Sequence, residues 1–145
     1  MPDPFDPAPD EVPDFGDAPR IEWPDKYGRP PDDIIMVVGY VIPNDEWADE
    51  LIARTVKLVE QPPDLTNKSL DARVDIAQSI IRDKFKMPGF QRGIGYDVDG
   101  STERVYLFQI TESSLEWWKF RPTIEQLLAL NEFIGSEPYW FIRAA

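Results

Sequence analysis

The chain has 145 residues, a formal charge of −12, and neither cysteine nor histidine. Disulfide scaffolds and Cys- or His-based zinc sites are thereby excluded, together with the commonest general base. So acidic a chain is poorly suited to binding nucleic acid through its phosphates, which requires clustered cations, and no apolar run nears the roughly 18 residues of a membrane-spanning helix.

Residues 1–33 form an acidic arm. They hold nine of the 15 prolines and ten carboxylates against Arg20, Lys26 and Arg29, a local charge of −7. Proline fixes φ and lacks an N–H donor, so an extended polyproline-like coil is the expected state. Phe5, Phe15, Ile21, Trp23 and Tyr27 are spaced along this thread, and a purely solvating tail has no use for them. The start, MPDPFDPAPD, lacks the basic and apolar secretory pattern, so a cytoplasmic location is expected, with a virion as the alternative.

Residues 34–145 are read as a single domain. Ile34 to Ile42 (IIMVVGYVI) is a β-branched apolar run ending at Pro43, the pattern of a strand buried on both faces. Asn44 or Asp45 caps a predicted helix over 45–60, which Pro62-Pro63 ends. A second helix is predicted over 69–86, with Leu70, Val74, Ala77, Ile81 and Phe85 at helical spacing. Pro88-Gly89 breaks it. A hairpin follows, GIGYDVD and ERVYLFQIT, turning at Asp99-Gly100. Ser113 and Glu116 stand at capping-box spacing before a short turn, SLEWWKF. Thr123 and Gln126 repeat that spacing for a third helix over 123–134, which Gly135 should end. Tyr139 to Ile142 (YWFI) reads as a last strand. The order β-α-α-β-β-α-β, with a short helical turn ahead of the last helix, predicts an α+β fold. It would be a small, mainly antiparallel sheet of about four strands with three helices packed on one face.

Strand side chains alternate between faces, and here both faces are apolar. Along 34–42, Ile34, Met36, Val38, Tyr40 and Ile42 face one way, and Ile35, Val37, Gly39 and Val41 the other. Tyr139 and Phe141 likewise oppose Trp140 and Ile142. Three helices cover one face of an open sheet, so the second face would need another cover: the arm, a second copy or a different partner.

The search for chemistry is largely negative. Gly93-Ile94-Gly95 lacks the third glycine and the helix of a dinucleotide site and reads as a loop into the hairpin. Asp97, Asp99, Gly100 and Glu103 resemble a fragment of a calcium loop, but the late bidentate Glu is missing and a tight turn explains Asp-Gly. Asp45, Glu46, Asp49 and Glu50 make two i,i+4 carboxylate pairs, favoured near a helix N-terminus by the macrodipole. Arg82, Lys84, Lys86 and Arg92, interleaved with Phe85 and Phe90, make the one basic-aromatic cluster, which helix-end cations largely explain. No cofactor and no metal site is expected.

These readings lead to a non-catalytic acidic protein-binding module, of the inhibitor or immunity type, that neutralises a basic or nucleic-acid-binding protein. Its expected contact residues are Phe15, Trp23, Tyr27, Asp45, Asp49, Glu50, Trp117, Trp118 and Trp140: aromatic anchors with an acidic steering field. Direct nucleic-acid and membrane contacts are not expected. The rival is a structural subunit, a homo-oligomer or a larger assembly tethered by the arm, and the third possibility is a carboxylate enzyme using a divalent cation.

Overall fold

A computed structural model describes residues 35–97, 103–113, 118 and 120–143 of the chain. Strand β1 spans Met36–Val41, helix α1 Asp45–Thr55, and α2 Leu70–Phe85. Strands β2 (Gln91–Asp97) and β3 (Arg104–Glu112) follow, then α3 (Ile124–Ile134) and β4 (Tyr139–Arg143). Chain order and element type agree with the sequence. The hairpin turn, most of the short helical turn and the arm lie outside the described residues.

Each helix begins where its cap is written. The Asn44 side-chain oxygen accepts the Trp47 N–H at 2.8 Å, and Ser69 Oγ accepts the Ala72 N–H at 3.2 Å. Thr123 and Gln126 complete a reciprocal capping box, at 3.0 and 2.9 Å. Gly135 ends α3 with φ 81°. Helix α1 stops at Thr55, short of the predicted residue 60, and a single 3-10 turn (Val56–Leu58) leads to extended backbone at Val59. The Thr55 hydroxyl, fully buried, donates to the Leu51 carbonyl at 2.7 Å. β-branched Thr55, Val56 and Val59 crowd the helix backbone, so the apolar stripe outlasts the helix. Ser113 directly follows β3 and ties its end to β1. Its Oγ accepts the Met36 N–H at 3.0 Å and its N–H donates to the Met36 carbonyl at 2.9 Å.

The sheet is antiparallel and four-stranded, but it is not open. Its strands form a closed barrel in the order β1-β3-β2-β4, with β4 returning to β1. Tyr40 pairs with Phe108, Gly93 with Leu107, Tyr96 with Ile142, and Val37 with Phe141. The expectation of an open sheet, helices on one face and an uncovered second face, is therefore corrected. Val38, Tyr40, Phe108 and Ile110 face outward and form the main core with Leu51, Ile52, Val74, Ala77, Ile81, Leu130 and Ile134 of the helices. Val37, Leu107 and Phe141 face inward, with Val41 and Val105 beside them, and fill the barrel. Both faces of β1 are buried within one chain, and that is why both are apolar.

Closure around so few strands leaves little interior room, and glycine supplies it. A Cβ on Gly39 would lie 2.4 Å from the Phe108 carbonyl oxygen, and one on Gly95 would lie 2.6 Å from Phe141 Cβ. β1 and β3 also shift register between Val38 and Gly39. This bulge puts Thr111 opposite Val38, on the helix side, rather than on the face of Leu107. The carboxylate of Glu112, side chain 4% exposed, accepts from Arg143 Nη1 at 2.9 Å.

Tyr40 is the one buried phenol of the main core among the described residues, and its hydroxyl donates to Asn131 Oδ1 of α3 at 2.5 Å. Burial raises its pKa far above the ordinary value. Below about pH 10 the ring is neutral in both folded and unfolded chains, and its contribution is fully present. Above that, the unfolded chain loses the proton while the folded chain keeps it, so stability falls as pH rises. Urea midpoints measured across alkaline pH should drop more steeply for the parent chain than for Tyr40→Phe. Equal slopes would contradict the assignment.

Candidate acidic face

The charge of α1 is laid down in its first two turns. Asp45 and Glu46 follow the Asn44 cap, where the helix dipole favours negative charge. Asp49 and Glu50 come one turn later, stacked on them at i,i+4, a spacing at which like charges repel by about 0.2–0.5 kcal/mol per pair. All four are exposed. One of them is neutralised: Asp49 accepts from Arg73 Nη1 of α2 at 2.5 Å. Asp45, Glu46 and Glu50 have no ion-pair partner among the described residues. The inner side of α1, by contrast, is bound tightly. Ala48, Leu51 and Ile52 are buried, and the Trp47 ring lies 6.4 Å from Phe108.

Two acids of α2 are engaged, whereas Asp83, Glu125 and Glu132 are exposed with no ion-pair partner among the described residues. Arg92, at the start of β2, binds Asp71 at 3.1 Å and Asp75 at 2.6 Å on α2, and its N–H donates to Gln78 Oε1 at 2.7 Å. The basic-aromatic cluster of the sequence is thus taken apart. Arg92 pairs with carboxylates. Arg82 donates through Nε and Nη2 to the Phe90 carbonyl at 3.0 and 2.9 Å. Phe90 is fully buried and stacked 5.2 Å from Phe108. Among the described residues, no three acidic side chains converge on a point that could hold a metal ion.

The expected contact residues do not form one patch. Asp45, Asp49 and Glu50 stand together on α1. Trp118 and Trp140 stand together elsewhere, ring centroids 6.0 Å apart and tilted by 46°, with the Arg121 guanidinium 5.2 Å over Trp118. Both tryptophans are half-buried, and Trp140 packs against the main core. Phe15, Trp23, Tyr27 and Trp117 lie outside the described residues, as does most of the Asp97–Glu103 turn.

The large apolar side chains that are exposed are others. Tyr106 is 60% exposed, Tyr139 61%, Leu128 62% and Ile124 46%. Tyr106 belongs to a row on the outer wall of the barrel. It pairs with Ile94, which precedes Tyr96 on the same face, and Tyr96 pairs with Arg104 on one side and Ile142 on the other. None of these residues belongs to either core cluster. Alternation along β3 places Tyr106 on the same face as Phe108. That the helices reach Phe108 and not Tyr106 depends on barrel closure and was not readable from the strand.

The fold and the charge define a class, an acidic α+β chain built on a closed four-stranded barrel. Compared with protein-family models, with curated proteins and with solved structures, the chain matches none. Among the described residues no helix is long and apolar enough to cross a membrane.

Proposed function

We propose that the protein is a non-catalytic acidic module that binds a basic protein and neutralises it, in the manner of an inhibitor or immunity-type protein. The observation that carries this reading is the outer face of α1. Asp45, Glu46 and Glu50 are exposed and unpaired among the described residues, on a helix whose other side is locked into the core, in a chain of charge −12. Unpaired like charges at helical spacing cost stability. A basic partner would relieve that repulsion and be drawn in by the field. The helix is held rigid by its cap and by Trp47, so little ordering entropy opposes binding through it.

The test is affinity capture with the full chain as bait, followed by association kinetics of the recovered protein. Asp45→Lys with Glu50→Lys should slow association about tenfold or more at low ionic strength, within the range electrostatic steering supplies. Raising salt should slow the parent chain toward the variant. Rates that respond neither to salt nor to the reversal would contradict the reading.

A further inference from the structure

The outer wall of the barrel departs from the rest of the molecule in charge. Among the described residues, outward positions on β2, β3 and β4 carry two arginines, Arg92 and Arg104, and no carboxylate, in a chain with 27 acidic residues. Arg92 is held by Asp71 and Asp75. Arg104 is exposed and has no ion-pair partner among the described residues. Beside it runs the row Ile142, Tyr96, Ile94 and Tyr106, which belongs to neither core cluster; Tyr106 is exposed and the other three are half-buried. An aromatic strip with a guanidinium at its margin suits a proline-rich segment carrying acids and aromatic rings. Proline faces stack on aromatic walls, and carboxylates pair with arginine.

Such a segment exists in this chain. We propose that the N-terminal arm is the ligand of this strip and docks on it in cis, with the stretch from Ile21 to Tyr27 on Ile94, Tyr96, Tyr106 and Ile142, and its carboxylates toward Arg104. The position of chain entry favours this. The Ile35 carbonyl accepts the Arg143 N–H at 2.8 Å, and Met36 pairs with Ile142, itself the neighbour of Tyr96. The arm therefore joins the barrel about 10 Å, or two strand spacings, from Tyr96. The eight residue steps from Tyr27 to Ile35 span up to about 26–29 Å, which is ample. Tethering holds the segment at an effective concentration of about millimolar, far above that of a second copy in dilute solution. The inference does not use α1 and is independent of the reading of that helix.

The absence of cysteine makes a direct test simple, because Ala18→Cys gives the full chain one thiol for a nitroxide label. In dilute solution, amides of Ile94, Tyr96, Tyr106 and Ile142 should be broadened several-fold more than those of α1 and α2. Adding Arg104→Glu and Tyr106→Ser, both at exposed positions, should remove that difference. Raising salt on the otherwise unsubstituted labelled chain should shrink it without any change in the fold. The inference is overturned by uniform broadening, by broadening that survives both changes, or by broadening that passes from labelled to unlabelled copies in a mixture, which would make a second copy the occupant.

Discussion

Gly39→Ala should destabilise the fold by about 2–3 kcal/mol, a large effect for one methyl group. The added Cβ would meet the Phe108 carbonyl oxygen at 2.4 Å, Leu107 Cδ1 at 2.7 Å and Gln109 Cα at 2.8 Å. Two of these three atoms are backbone, so β1 and β3 must separate where their register shifts. Gly93→Ala is the informative comparison. Its Cβ would meet only the Gln109 side chain, Oε1 at 2.6 Å, and a flexible side-chain end can move aside. Urea unfolding should rank Gly39→Ala well below Gly93→Ala in stability. Equal midpoints would mean that the barrel is looser than its geometry.

Phe108→Ala is expected to cost about 3–5 kcal/mol, the range for emptying a large buried aromatic site. The ring is 1% exposed, stacked on Phe90 with planes 12° apart and flanked by Trp47. It joins the barrel wall to α1, so its loss uncouples two layers at once. With a total stability of about 5–15 kcal/mol for an ordinary domain, the variant would populate unfolded chains at mild temperature. Tryptophan fluorescence in urea would show a much lower midpoint with little change in slope. A loss below about 1 kcal/mol would contradict the packing, since that is the scale of removing a single buried methyl group.

Much of the fold was legible along the chain. The capping pair Thr123 and Gln126 and the terminator Gly135 fell where the structure has them, the cap expected at Asn44 or Asp45 is Asn44, and the apolar run Ile34 to Ile42 contains the strand Met36–Val41. These are local signals, written within a few residues. Closure was not legible, because it depends on which strands meet across the ring. Its trace was the small residues Gly39, Gly93 and Gly95 on one face. Two of them read equally well as a loop leading into a hairpin. From the missed closure came the larger misreading, that the second apolar face needed a further cover, whether the arm, a second copy or a different partner. Val37, Leu107 and Phe141 cover it themselves.

For the site, the sequence located the acids of α1 because i,i+4 spacing fixes their common face. It could not show that Arg73 takes Asp49 and leaves the other three unpaired among the described residues. Nor could it separate Trp118 and Trp140, which pack on each other, from Tyr106, which faces outward. Burial of an aromatic ring depends on what crosses above it, and no periodicity records that.

Closure of the barrel decides how the rest is read, because it moves recognition from a surplus of apolar surface to charge and to one aromatic strip. Amide hydrogen exchange and cross-strand NOEs on the dilute chain test it most directly, at the seam between β2 and β4. The closed barrel predicts NOEs joining Tyr96 to Ile142 and Gly95 to Arg143, with amides of both strands protected about as strongly as those shared by β1 and β3. Rapid exchange along β2 and β4, with no NOE across the seam, would make them open edges and contradict the account.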